Sequence, residues 1–172
     1  MEEWDVYDRH RVKTGKVVPR GSALRPDEFH LVVHVCFINA QNQMLIQQRQ
    51  PFKEGWPNRW DVTVGGSAQA GEDSPLAAER ELHEEIGYSV DFSQYRPIFT
   101  IHFTNGFDDY YLVNAEVDLV QLRLQPSEVK QVKWADKEEI MGLIRRQEFI
   151  PYHRSVIELI FDMAQGRGAY LS

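Results

Sequence analysis

The sequence predicts an α+β fold, a mixed sheet lying between helices. Three observations carry this. Residues 31–38, Leu-Val-Val-His-Val-Cys-Phe-Ile, form an apolar, β-branched run with the length and composition of a buried strand. Residues 74–86 have Ala78, Leu82 and Ile86 at four-residue spacing, the stripe of an amphipathic helix. Strand and helix signals also follow one another without the regular alternation of a doubly wound fold.

The elements follow in chain order. Residues 4–8 and 16–18 read as a short hairpin turning at Thr14-Gly15, within an N-terminal segment of 4–20. After strand 31–38, Asn39-Ala40-Gln41-Asn42 signals a turn, and residues 44–48 return as its hairpin partner. A loop with Pro51, Gly55 and Pro57 precedes a short strand at 60–64, which Gly65-Gly66 ends. Ser74 is placed to cap the helix, Pro75 suits its first turn, and Gly87 suits its C-terminal cap. Strands are expected at 97–104 and 109–117 around Asn105-Gly106, and again at 129–134. Helices are expected at 136–146 and 152–165, the second opening after Pro151. Val156, Ile157, Leu159, Ile160 and Met163 give it an apolar face for the core or for a dimer contact.

With 172 residues and 42% hydrophobic content, the chain supports one globular domain over 1–172. No apolar run reaches the roughly 18 residues a membrane helix needs. The acidic start, Met1-Glu2-Glu3-Trp4-Asp5, is unlike a secretory signal, and the single Cys36 allows no internal disulfide. These features point to the cytoplasm. A net charge of −7 argues against binding a nucleic-acid polymer, but leaves room for a small phosphorylated substrate recruited through a metal ion.

Helix 74–86 carries Glu79, Arg80, Glu81, Glu84 and Glu85. Glu81, Glu84 and Glu85 stand at i, i+3 and i+4 and project from one face, where like charges repel. A bound cation removes that penalty, and all-oxygen donors favour Mg²⁺ or Mn²⁺. Such ions activate water and neutralise charge on phosphoryl oxygens. A glutamate-rich helix taken alone is usually a solvated face. Here it follows a Gly-rich loop, Gly65-Gly66-Ser67-Ala68-Gln69-Ala70-Gly71-Glu72, whose backbone can approach a ligand closely.

The run Gly66-x5-Glu72-x7-Arg80-Glu81-Leu82-x-Glu84-Glu85-x-Gly87-Tyr88 resembles the Nudix box over 66–88. Tyr88 departs from it, standing where that family usually has an aliphatic residue. The resemblance implies an α/β/α sandwich with a loop-helix-loop catalytic motif. Glu84 and Glu85 are then metal ligands, and Glu81 is a ligand or the base that activates water. The Gly65 carbonyl adds a ligand, Arg80 orients the group, and Gly66, Glu72 and Gly87 support loop and helix. Glu128, in a Glu-then-Trp pattern with Trp134, is the candidate for a further acid from a later loop.

Beyond the box, Trp4 to Asp8, His30-Leu31, Gln48-Arg49, Lys53 and Trp60-Asp61 resemble the branch that includes isopentenyl-diphosphate isomerase. That enzyme moves a double bond and needs a Cys-Gly-His run just before the box. Gly65-Gly66-Ser67 stands there instead, without thiol or imidazole. Cys36 reads as a small buried hydrophobe and His34 as a satisfied core histidine. His30 matches a metal-binding histidine of that branch, but with Ser67 replacing its partner the role is not carried over.

The expectation is therefore hydrolysis of a diphosphate linkage, with Arg49 and Lys53 gripping phosphate and Arg59 a weaker candidate. Phe52, Trp56, Trp60 and Phe107 are candidates for stacking on a base. An isomerase-like enzyme and a non-catalytic diphosphate-binding module are the alternatives. The attached group is open among nucleoside di- and triphosphates, dinucleotides, nucleotide sugars and isoprenoid diphosphates. The family is often dimeric, so monomer and homodimer both stay open.

Overall fold

The computed structural model describes residues 2–166. Strands β1 (Glu3–Tyr7) and β2 (Lys13–Pro19) form a separate antiparallel hairpin. Its turn lies at residues 8–12, where Asp8 Oδ1 accepts from the amides of His10 and Val12. The expected turn at Thr14-Gly15 is corrected: those residues sit inside β2. The register shifts there, from Asp5↔Val17 to Tyr7↔Lys13, and Gly15 takes up the shift with a φ of 83°.

The main sheet has β3 (His30–Ile38) at its centre, parallel to β8 (Gly106–Asn114), with β7 (Phe99–Phe103) beyond. β4 (Gln43–Arg49) meets β3 only at Ile38↔Met44. From there β3 pairs with β6 (Val64–Ser67), while β4 pairs with β5 (Trp60–Asp61) and β9 (Val129–Asp136). The expected hairpin of β3 and β4 is therefore a fork rather than a ladder. Thr63 stitches the fork: its hydroxyl accepts from Phe37 N at 2.9 Å and donates to Leu45 O at 2.6 Å. That satisfies backbone groups which a split sheet would leave buried and unpaired.

The expected strand at 60–64 is two short strands, and Gly65-Gly66 does not end it. Both glycines lie in β6, opposite His34 and Val33.

Helix α1 (Ser74–Ile86) covers one face of the sheet. Ala77, Ala78, Leu82 and Ile86 pack there against Val33, Val35, Phe37 and Tyr111. Helices α2 (Lys137–Arg145) and α3 (Arg154–Gln165) cover the other face, around Cys36, Ile46, Leu112 and Phe149. The result is an α/β/α sandwich. In α3, Ile157, Ile160 and Phe161 are buried, so most of its apolar face serves the core.

The N-cap of α1 is Asp73, which accepts from Leu76 N, and not Ser74. Ser74 instead donates to buried Asp109 at 2.7 Å. Tyr88, the departure from the box, packs edge-on against Phe37 at a centroid distance of 5.4 Å.

Candidate active site

The fork positions the site. α1 lies across the gap between β6 and β4, and its acidic face looks into it. Glu85 accepts from Gln47 Nε2 of β4 at 2.6 Å, and Glu81 lies against Gly66 of β6. A Cβ on Gly66 would fall 2.1 Å from Glu81 Oε1, so only glycine leaves room for that carboxylate. The C-terminal carbonyls of α1 are satisfied by a later segment, Arg123 N to Ile86 O and Gln125 N to Glu85 O. Gly87 closes the helix with a φ of 67° and packs on Arg123.

Arg80 organises the acids. Its guanidinium donates Nε to Glu72 Oε1 at 2.7 Å and Nη2 to Glu72 Oε2 at 3.0 Å, a bidentate pair. Nη1 reaches Glu81 at 2.9 Å and Glu84 at 3.1 Å, and Nη2 also holds Ser67 O. Glu72 in turn accepts from Gln69 N, tying loop to helix. Burial opposes the charge on Arg80, but Glu72 and Glu81 outweigh it and hold the guanidinium firmly protonated.

Glu85 differs. It is 4% exposed, and its side-chain partner is the neutral amide of Gln47. Burial, with the charge of Glu81 behind it, pushes its carboxyl well above its ordinary value. Burial likewise raises Glu81, against the pull of Arg80. A buried carboxylate without a basic partner needs a cation or a proton.

This donor set fits a hard divalent ion: Glu85 unneutralised, Glu81, Glu84 and Glu128 around one cleft, and Gly65 and Gly66 backbone beside them. Among the described residues no three acidic, imidazole or thiol side chains already converge on one point. Glu81 and Glu84 are turned to Arg80 instead.

The cleft also gathers Arg49, Lys53 and Gln125, and two residues from the N-terminal hairpin, Glu2 and Arg20. Lys53 pairs with Glu128 at 2.6 Å, and Arg49 Nε donates to Gly55 O at 2.9 Å. Arg59 is not in its lining. Glu79 accepts from Phe92 N at 2.8 Å and serves the fold.

Of the aromatic candidates, Trp60 and Phe107 are buried, while Phe52 and Trp56 are exposed on the loop before β5. Gln47, Gln125 and Arg20 escape sequence reasoning. Arg20 offers no signal, because only the docking of the hairpin brings it here. Asp5 accepts from Gly71 N and Ala70 N donates to Glu3 O, pinning the hairpin to the Gly-rich loop.

His34 is satisfied on both ring nitrogens, by Asp108 at 2.5 Å and the Tyr152 hydroxyl at 3.1 Å. A Cβ on Gly65 would fall 2.6 Å from its ring. The space a thiol would need is filled by imidazole. Cys36 is fully buried, and burial pushes its thiol far up, so it supplies no nucleophile.

A fork-sheet sandwich with glutamates from one helix facing a Gly-rich strand is the architecture of a Nudix enzyme. A sequence model of the NUDIX domain matches residues 28–160, and the chain belongs to that family, whose members hydrolyse small diphosphate compounds and generally use divalent metals. It is 50% identical over 152 residues to a Nudix hydrolase of Listeria monocytogenes whose activity is uncharacterised, covering 88% of this chain and 90% of that one. It is 29% identical over 119 residues to an isopentenyl-diphosphate Δ-isomerase of Citrobacter koseri, covering 65% of each. A crystal structure of a Deinococcus radiodurans protein superposes with a TM-score of 0.74 at 26% identity, covering 92% of this chain and 97% of that one. Among the described residues no helix is long and apolar enough to cross a membrane.

Proposed function

We propose that this protein is a cytoplasmic, Mg²⁺- or Mn²⁺-dependent hydrolase of a diphosphate linkage in a nucleoside diphosphate derivative or a related small diphosphate. The observation that carries this is Glu85, a buried carboxylate with no basic partner among the described residues, beside Glu81 in a cleft also lined by Arg20, Arg49 and Lys53. Carboxylates and cations lining one cleft suit a diphosphate held together with a divalent ion.

Glu81, Glu84 and Glu85 would hold the ions, with the Gly65 carbonyl and Glu128 as further oxygen donors. A bound divalent ion supplies Lewis acidity, withdrawing charge from phosphoryl oxygens and acidifying a water. The residues do the rest. Arg49, Lys53 and Arg20 hold the phosphate that leaves. Arg80 bridges Glu81 and Glu84 and anchors Glu72 under the loop. Water attacks one phosphorus, the anhydride P–O bond breaks, and a carboxylate of this group accepts the water's proton. Two phosphorylated fragments result, or a monophosphate and inorganic phosphate.

Isomerisation lacks its thiol here, since Gly65 faces the His34 ring. A non-catalytic binding module has no need of an uncompensated buried carboxylate.

The test is hydrolysis of a diphosphate panel with Mg²⁺ and Mn²⁺, using Glu85→Gln as control. The variant should lose activity on the order of 10²–10³-fold. Its thermal midpoint in chelator should equal or exceed that of the wild type, because a neutral amide is cheaper to bury there than a carboxylate. Full metal-dependent turnover by Glu85→Gln refutes the assignment of Glu85.

A further inference from the structure

Gly65 and Gly66 are adjacent in β6 and face opposite ways, as the pleat requires. Gly66 faces Glu81 on the α1 side, and Gly65 faces His34 on the side of α2 and α3. Behind Gly65 lies a second cleft of about 300 Å³, lined by the polar side chains of His34, Asp61, Ser67 and Tyr152 and by the apolar surfaces of Val32, Ile150 and Trp56. Arg20, Arg49, Gly65 and Gly66 line this cleft as well as the glutamate cleft, so the two adjoin.

The floor of the second cleft is a hydrogen-bonded chain. The Tyr152 hydroxyl donates to Asp61 Oδ1 at 2.7 Å, so towards His34 Nε2, 3.1 Å away, its oxygen accepts. Asp108 Oδ1 accepts from His34 Nδ1 at 2.5 Å. Both ring nitrogens donate inward in the imidazolium form, which burial opposes and Asp108 favours more strongly, and the protons of this floor are then committed to its own acceptors. Asp61 Oδ1 also accepts from Val62 N, and its second carboxylate oxygen lies outside these bonds. Asp61 oxygen and the Ser67 hydroxyl are what the floor offers a ligand.

An apolar chain laid over such a floor would cover polar groups and return no hydrogen bond. A hydroxylated group would donate into it. Trp56, 48% exposed at the rim, adds a flat apolar surface for the C–H face of such a group.

We propose that this second cleft binds the group attached to the diphosphate and selects a hydroxyl-bearing moiety, a sugar or polyol, over an alkyl or prenyl chain. The proposal rests on the hydrolase reading above, since it needs the diphosphate seated across Arg20 and Arg49.

The test compares butyl diphosphate with erythrityl diphosphate, which has the same carbon chain bearing hydroxyls, and with ribose 5-diphosphate. These are assayed with Mg²⁺ beside the nucleotide panel. One or both hydroxylated compounds should exceed butyl diphosphate in kcat/KM by about tenfold or more, and which one does separates polyol from sugar. Ser67→Ala and Asp61→Asn should pull that ratio towards one. Ser67→Ala removes a single hydroxyl that the floor offers and leaves the strand in place, so it reads the cleft even where Asp61→Asn fails to fold. Diphosphate hydrolysis with no preference for hydroxyls, or a preference unchanged in both variants, overturns the cleft assignment and leaves the hydrolase reading intact. If no diphosphate is hydrolysed at all, the hydrolase reading falls and takes this inference with it.

Discussion

Gly65 and Gly66 are the same residue type in the same strand, and the structure gives their substitution different costs. An alanine at Gly66 would press its Cβ on the carboxylate of Glu81, the far end of a flexible side chain. Glu81 can swing away, so the fold should hold while the site is lost. We expect Gly66→Ala to lower activity about a hundredfold or more with a small change in melting temperature. An alanine at Gly65 would meet the His34 ring, held by Asp108 and by the Tyr152 hydroxyl. That ring has nowhere to go, so Gly65→Ala should cost roughly 1–3 kcal/mol of stability, the usual range for overpacking. Thermal melts beside kinetics on both variants decide it, and equal melting losses would show that Glu81 is held as rigidly as His34. At this scale the acids of the box are legible from spacing alone, because i, i+3, i+4 fixes a helix face. Arg20, Gln47 and the His34–Tyr152–Asp61 chain are not. Their partners are distant in sequence, and no local pattern encodes which strand faces which.

At the scale of elements, α1 is held at both ends, and sequence reads one end better than the other. Gly87 announces the C-terminus because a left-handed cap needs glycine. Ser74 and Asp73 are both good caps by type, and the Ser74 hydroxyl donates to buried Asp109 while Asp73 caps the helix. The forked sheet was equally hidden. Apolar, β-branched composition marks β3 as a strand and the turn at 39–42 makes β4 its partner, but only the Thr63 bridge shows that they part after Ile38↔Met44. Two substitutions test the ends of α1. Gly87→Ala meets a φ of 67° and a Cβ contact of 2.8 Å with Arg123, and should cost about 1–2 kcal/mol. Asp109 is fully buried and accepts from Arg11 twice, from Thr100 and from Ser74. Asp109→Ala should cost roughly 2–4 kcal/mol, because it unpairs Arg11 of the hairpin turn and Ser74 of α1 together. Denaturant unfolding measures both, and a loss under about 1 kcal/mol in Asp109→Ala would mean that solvent replaces its partners freely.

For the whole molecule, the N-terminal hairpin has an attachment that depends on pH. It delivers Arg20 to both clefts, and His30 and Glu28 are among the titrating groups that hold it. His30 stacks on Trp4 of β1 at 4.1 Å, and burial, helped by the charge of Arg20 and opposed by Asp108, lowers its pKa to about 4. Glu28 accepts from Lys16 of β2 and from Arg25, and these bonds bring its carboxyl down to about 2. The signs agree. An unfolded histidine binds its proton near pH 6.5, which the folded one refuses until about 4, so stability falls as pH drops through that window. Glu28 extends the loss, since its folded form resists protonation from its ordinary 4.5 down to about 2. Acid should therefore loosen β1 and β2 before the central sheet. Hydrogen exchange read between pH 7 and 4 should show hairpin amides losing protection while those of β3 and β8 keep theirs. His30→Phe preserves an aromatic face for Trp4 and cannot take a proton, so its stability should be flatter between pH 6.5 and 4. Activity should follow the hairpin, with KM for the diphosphate rising as Arg20 leaves the cleft. An unchanged acid slope in His30→Phe would remove His30 from this account and leave the ion pairs of Glu28 to carry it.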